Sequence, residues 1–247
     1  MQGSPLRDTP RMNRILIPLC LALSLAAFAP VQAADAPSPV HTLVLVRHGN
    51  YVADPSADER LGPHLSPIGV AQAHLAANAL GALPRFDGLY ASPVQRARDT
   101  AAVIGKDDFP DRKFEVVDDL AECTPPTPLG DVAKTEKPAD MAACKAQLDR
   151  VYARFFTAAN DQDRRDLLVC HGNVIRYLVM RALGVDTGAW LAMSIENASI
   201  TTIRIDAKGR AHVIAVGDVG HIPPAMRTSA FGDPPRDLAI PELQEER

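Results

Sequence analysis

The sequence predicts an α/β fold: a three-layer sandwich with a mostly parallel central sheet, antiparallel C-terminal strands and helices on both faces. Three observations point to it. Leu43-Val44-Leu45-Val46 is an unbroken apolar run of strand length, the pattern of a strand covered on both faces, and it stops at Arg47-His48-Gly49-Asn50. Leu167-Leu168-Val169-Cys170 repeats the design, ending at His171-Gly172-Asn173 and passing into a helix-forming run. Near the C-terminus, residues 201–205 and 211–216 flank Asp206-Ala207-Lys208-Gly209, a hairpin signal that makes the last strands antiparallel.

Taken in order, Arg11 and Arg14 precede an apolar run, residues 15–28, ending at Pro30-Val31-Gln32-Ala33. Basic, apolar and small-residue segments in this order read as a signal peptide over 1–33, with Met12 as an alternative start. Pro18 and Pro30 shorten the run below a comfortable bilayer span. The expectation is a periplasmic or secreted protein with no stable membrane insertion after cleavage. Residues 34–41, with Pro37 and Pro39, read as a linker to one domain over 42–227.

After the first strand, residues 51–63 are polar and broken by Pro55, Gly62 and Pro63, a loop over the strand end. Ser66 caps a helix with Pro67 in its first turn; Val70, Leu75, Ala76, Ala79 and Leu80 supply its apolar face. His74 reads as an exposed position there, and nothing near His64 or His74 supplies metal-ligand spacing. Residues 86–91 form the second strand, followed by a helix that carries Arg96 and runs to about Ile104. Residues 114–117 are a short third strand that delivers Asp118-Asp119-Leu120-Ala121-Glu122-Cys123 and a proline-rich turn. Residues 139–159 are amphipathic at helical period through Met141, Leu148, Val151, Tyr152, Phe155 and Phe156. Residues 173–183 are the helix after His171, with Gly184 at its end. Residues 228–247, proline-rich and charged, read as a disordered tail.

The 247 residues, 47% hydrophobic and 23% charged, suit a soluble globular protein. The formal net charge of −4 becomes more negative once Arg7, Arg11 and Arg14 leave with Asp8, so nucleic acid is not an expected partner. Export permits disulfides. Cys123 and Cys144 lie outside the core strands and are expected to pair, closing a loop of about 20 residues; Cys170 reads as a small core residue.

Arg47 and His48 stand at the carboxyl end of a strand, where open α/β sheets bind ligands. A guanidinium grips two phosphate oxygens in fork geometry, and an imidazole beside it can attack phosphorus. The stretch Ala91-Ser92-Pro93-Val94-Gln95-Arg96 and the pair His171-Gly172 bring a second arginine and a second histidine to other strand ends. This constellation resembles the histidine phosphatase superfamily, which also contains the cofactor-dependent phosphoglycerate mutases. The resemblance covers about 43–227. Through His171-Gly-Asn-Val-Ile-Arg-Tyr, Gly188-Ala-Trp190, Asn197-Ala-Ser-Ile-Thr201 and Gly217-Asp-Val-Gly-His-Ile-Pro-Pro224 it is closest to the branch of mitochondrial phosphoglycerate-mutase-like Ser/Thr protein phosphatases. Gly49-Asn50 and the segment 123–144 depart from that branch.

The resemblance implies a phosphomonoesterase that uses neither metal nor cofactor. His48 would become the phosphohistidine, Arg47, Arg96 and His171 would bind the phosphate, and Glu122, from Leu120-Ala121-Glu122, would be the general acid, with Asp118 and Asp119 as rivals. Asn50 is either a phosphate contact or a loop-structural residue. The expected partner is a phosphorylated substrate, a small ester or a phosphoprotein; oligomeric state is left open. Three alternatives compete. A mutase calls for more basic residues than Arg60 in the loop over the strand end. An exported acid phosphatase carries Asp after its second His, where Gly172 stands. A phosphopeptide-binding scaffold sits poorly with Arg47, His48, Arg96 and His171 all intact.

Overall fold

The protein is described by a computed structural model over residues 38–128 and 130–229, within the compact unit Pro37–Arg247. The expected signal peptide, the first half of the linker and all but the first two residues of the expected tail lie outside the described residues. The elements are β1 (His41–Arg47), α1 (Pro67–Gly81), β2 (Gly88–Ala91), α2 (Gln95–Asp108), β3 (Glu115–Val116), α3 (Gly130–Thr135), α4 (Pro138–Phe155), β4 (Arg164–Cys170), α5 (Gly172–Ala182), β5 (Ile200–Ile205) and β6 (Ala211–Asp218). Six strands form one sheet in the order β3-β2-β4-β1-β5-β6. The β3-β2, β2-β4 and β4-β1 pairs are parallel, while β5 joins β1 antiparallel and turns back into β6. This is the expected α/β architecture.

Alternation along β1 builds the three layers. Leu43 and Leu45 enter one apolar cluster with Leu148, Val151 and Phe155 of α4 and Val174, Tyr177 and Leu178 of α5. Val44 and Val46 enter the other, with Ala77 and Leu80 of α1 and Ala97, Ala101 and Ile104 of α2. Both central strands, β1 and β4, are in register so that Arg47 lies opposite Cys170. His48 N–H then donates to Cys170 O at 3.0 Å, which sets the two strand ends level. Among the described residues, no helix is long and apolar enough to cross a membrane.

Several boundaries differ from the sequence reading. β1 takes in His41, which is buried with its ring bonded to Asp166 and to the Thr157 carbonyl; a histidine inside a strand end carries no apolar signal to announce it. α3 lies in the proline-rich excursion, where local composition masks so short a helix. Thr228, expected in the tail, is buried and bonded to Gln72 and Asn197. The α1 face is also rotated: Ile68, Gly69, Gln72, Ala73, Ala76, Ala77 and Leu80 are buried, whereas Val70 is 37% exposed.

The reason for that rotation is a backbone-to-backbone contact. A Cβ on Gly69 would overlap the backbone of Asn50, and a Cβ on Gly49 would overlap that of Gly69. The start of α1 therefore lies directly against the loop that follows β1, with Ser66 capping the helix and receiving the chain of Asn50 through Ser66 N–H to Asn50 O at 3.0 Å. Gly69→Ala is expected to destabilise the protein by roughly 1–3 kcal/mol, the usual range for overpacking, and to displace the His48 loop. Urea unfolding checks the first effect. The second is checked by His48 ring resonances in NMR, which should shift more than those of the exposed His212.

Candidate active site

His48 is buried one residue past β1 and held from both sides. Its carbonyl accepts from Ala198 N–H and from Asn197 Nδ2, each at 3.1 Å. Ala198 pays for this clasp with a left-handed backbone, φ +53°, which a residue bearing a Cβ adopts only when its surroundings enforce it. In the ring, Nδ1 lies 2.8 Å from the Gly49 carbonyl. A carbonyl can only accept, so the ring proton sits on Nδ1 and Nε2 keeps its lone pair. Arg96 Nε, from the first turn of α2, donates to that lone pair at 3.1 Å. Burial, then His171, Arg47 and Arg96, hold His48 neutral, well below the ordinary histidine range.

The polar groups around Nε2 come from four strand ends. Arg47 Nη1 donates to Ile195 O at 2.6 Å, while its Nε is buried with no hydrogen-bond acceptor among the described residues. Burial brings the Arg47 guanidinium down to about 10, so it remains charged at neutral pH. A Cβ on Gly172 would stand 3.5 Å from Arg47 Nε, an ordinary van der Waals contact, so the residue after His171 lies directly against the guanidinium. The His171 ring centroid is 5.0 Å from that of His48. Its Nε2 lies 2.7 Å from Ser92 Oγ, which already accepts from Val94 N–H. His171 Nδ1 is a second buried nitrogen without a hydrogen-bond partner among the described residues, 3.6 Å from Glu122 Oε2. Burial, then Arg96 and Arg47, keep His171 neutral too.

Glu122 enters this group from the segment after β3, and its side chain is 28% exposed. Asn173 N–H, at the start of α5, donates to Oε1 at 3.3 Å. Desolvation raises the carboxyl to about 7, more than Arg96, Arg47 and the Asn173 N–H lower it. The rivals are elsewhere: Asp119 is engaged by Arg150 at 2.7 and 3.0 Å, and Asp118 is exposed. The structure joins Cys123 to Cys144 in a disulfide, so the residue after Glu122 is tied covalently to α4. Cys170 is buried in the core, with its thiol pushed upward by burial. Asn50 turns its Oδ1 toward Ser66 Oγ at 2.7 Å and its N–H toward Gln72 Oε1 at 2.8 Å. Both contacts belong to the α1 cap rather than to the arginine cluster.

Four residues of the site had no role in the sequence reading. Tyr51 places its ring 5.6 Å from that of His48 and under Arg96, whose Cζ is 4.7 Å from the ring centre. Thr100 accepts Gly49 N–H at 3.0 Å and returns its hydroxyl to Arg96 O at 2.8 Å, linking the two halves of the cluster. Gln72 ties Asn50 N–H to Thr228 and the Met226 carbonyl. Arg176 of α5 is buried beside Glu122 and Trp190. A polar residue at a helix position otherwise surrounded by apolar ones was the available signal for Gln72 and Arg176; Tyr51 and Thr100 offered none.

His48, Glu122 and His171 place ligand atoms within 4.8 Å of one another, a spacing that could hold a metal ion. The charge around them argues otherwise, because Arg47 and Arg96 face the same point and repel a cation. An anion fits this set: an acceptor-rich group would satisfy the buried Arg47 Nε and His171 Nδ1 together.

Solved phosphoglycerate mutases share this fold. A phosphoglycerate mutase from Plasmodium falciparum superposes with a TM-score of 0.53 at 26% identity, covering 75% of this chain and 95% of that one. One from Bacillus anthracis gives 0.58 at 22%, covering 74% and 96%. The chain belongs to the histidine phosphatase superfamily, branch 1, whose pattern it matches over residues 43–216. Among curated relatives, the mitochondrial Ser/Thr-protein phosphatase Pgam5 of Caenorhabditis elegans is 35% identical over 188 residues, which is 74% of this chain and 64% of that protein. The Xenopus tropicalis counterpart is 31% identical over 193 residues, 76% of this chain and 68% of its own length.

These relatives are mitochondrial proteins, which overturns the expected periplasmic or secreted location and the signal-peptide reading that led to it. Basic residues ahead of an apolar run describe attraction to a membrane and to a translocation machinery, and arginine-rich, acid-poor leaders serve mitochondria as well as export. The compartment argument for the Cys123–Cys144 bridge falls with it; the pairing rests on the geometry alone.

The raised carboxyl predicts a pH-dependent stability difference. Glu122 protonates near 7 when folded and at the ordinary carboxylate value when unfolded, so its ionisation weakens the fold as pH rises between the two. Glu122→Gln does not titrate. Relative to wild type, the variant should therefore gain stability from pH 5 to pH 8, read as a widening difference in urea midpoint. A constant difference would assign Glu122 an ordinary pKa.

Proposed function

We propose that this protein hydrolyses phosphomonoesters, phosphoproteins among them, through a phosphohistidine on His48 and without a metal. The observation that carries the reading is the neutral, buried His48, whose Nε2 lone pair faces Arg96, with the unpartnered Arg47 Nε and His171 Nδ1 beside it. The Nε2 lone pair attacks phosphorus in line. The N–P bond forms as the bond to the ester oxygen breaks, and protonated Glu122 gives its proton to the departing alkoxide. Arg47, Arg96 and His171 Nδ1–H hold the three equatorial oxygens, where charge is largest in the transition state. Arg96 must give up Nε2 in that complex, and its new partner is a phosphate oxygen within the same reach.

In the second step, the Glu122 carboxylate takes a proton from water, whose oxygen attacks phosphorus. The N–P bond breaks, and inorganic phosphate leaves with the His48 lone pair restored. A carboxyl poised at about 7 serves both steps at neutral pH. The Ser/Thr-protein phosphatase relatives favour phosphoserine and phosphothreonine as substrates. Loss of a proton from Glu122 removes the acid, so turnover of alkyl phosphates should fall as pH rises through 7.

His48→Ala should lower turnover of an aryl phosphate by about 10⁴-fold or more while leaving the circular dichroism spectrum unchanged. Acid-labile, alkali-stable phosphate should be trapped on wild type only; a fully active variant would sink the assignment. Activity should persist in EDTA, and restoration by a divalent ion after chelation would mean that the histidines and Glu122 bind metal. Glu122→Gln should slow alkyl esters by roughly 10²–10⁴-fold and activated aryl esters far less. Equal slowing of both would move the acid elsewhere.

A further inference from the structure

Between α2 and the β3 edge of the sheet lies a groove of about 460 Å³ that the proposed chemistry does not use. Arg98, Lys106, Arg112 and Lys113 line it together with Phe114 and Val116, and no acidic residue does. Arg98 sits two residues beyond Arg96, about 200° around the helix. Arg112 is fixed: its Nη1 and Nη2 donate to the Phe86 and Asp87 carbonyls at 2.6 and 2.8 Å, contacts that orient the guanidinium without neutralising it. Neither Arg98, Lys106 nor Lys113 forms an ion pair among the described residues. The nearby acids do not line the groove. Asp107, Asp108 and Asp111 line the adjoining cleft, and Glu115 pairs with Arg154 on its own side of the sheet. On a chain of net charge −4 this is a local concentration of positive charge that forms no ion pair within the groove.

We infer that this groove docks an acidic, apolar-anchored peptide segment of a partner protein. The floor supplies the anchor site: Val116 is 50% exposed and Phe114 half-buried, while Ala91 and Ala101 beneath them are buried and small enough to leave depth. Cations around it match carboxylates that flank an apolar side chain in an extended peptide. β3 is the outermost strand on this side, so its free edge also offers backbone hydrogen bonds to such a peptide. A membrane surface is the poorer match. Bilayer binding needs a broad face of large apolar side chains, and here Phe114 and Val116 stand with only alanines, Gly105 and Pro110 among four cations.

The groove can be tested without any assumption about catalysis. The probe is a short fluorescein-labelled peptide alternating Glu with Leu and Phe, titrated with the full chain and read by anisotropy. Saturable binding is expected, weakening with salt, and a peptide with Lys in place of Glu should not bind. Lys106→Glu with Lys113→Glu should weaken the acidic peptide at least about tenfold, as expected when rim charges of a complementary pair are reversed. The same double variant should hydrolyse a small aryl phosphate as wild type does, because neither lysine lies in the His48 cluster. No binding of the acidic peptide, equal binding of the Lys peptide, or binding unchanged in the double variant would each overturn the proposal. So would tight binding to phosphatidylserine vesicles in place of the peptide. A protein inactive on every phosphate ester yet binding the peptide would separate failure of the hydrolase reading from failure of this one.

Discussion

The structure depends on keeping one lone pair available. His48 Nε2 is useful only while the ring is neutral and the proton stays on Nδ1, and two contacts settle both: the Gly49 carbonyl on Nδ1 and the Arg96 guanidinium on Nε2. Arg47 or Arg96 next to a solvated histidine would lower its affinity for a proton modestly. Burial in a site already holding Arg47 and His171 makes the lowering decisive. The same burial acts in the opposite direction on Glu122, raising a carboxyl to about 7 although three arginines surround it. One crevice thus holds an imidazole neutral and keeps a carboxyl protonatable near neutral pH.

Holding that crevice together is a matter of backbone rather than side chains. His48 is clasped by Cys170 O on one strand and by Ala198 N–H on the turn before β5, so neither neighbour can shift without moving the ring. Behind it, Asn50 N–H, Gln72, Thr228 and Asn197 form a continuous polar chain that ends on the His48 carbonyl. Each buried polar group in this chain has its partner, which is the condition under which such a network rigidifies rather than weakens a core. The Gly49–Gly69 approach brings α1 close enough to supply Gln72. Arg96 is fixed through the other helix by Thr100 and by the Tyr51 ring.

Catalysis and docking would then occupy different parts of α2. Its first turn delivers Arg96 to the crevice, where its Nε faces the His48 Nε2 lone pair. Its outer flank and the β3 edge carry cations that no carboxylate in the groove answers. In a protein of net negative charge, such unanswered charge persists only if its desolvation is slight, as at an exposed groove.

The elements legible in the sequence were those whose signal is local. An unbroken apolar run identifies β1 and β4, because strands covered on both faces have no polar residue to hide; Ser66-Pro67 and Gly184 mark helix ends because capping needs only neighbours. Arg47, His48 and His171 were legible as strand-end residues, and Glu122 through the resemblance more than through its spacing, since Asp118 and Asp119 have the same chemistry one turn earlier. Tertiary structure decided what depends on partners distant in sequence: the rotated face of α1, the burial of Thr228, the roles of Tyr51, Thr100 and Arg176, and the attachment of Asn50 to Ser66. It also decided the protonation states, because a pKa is set by the dielectric and charges of a completed site and not by the residue that titrates. The destination of the chain was misread for a related reason. A leader's basic and apolar pattern is local chemistry, but the membrane it meets is not written in that pattern.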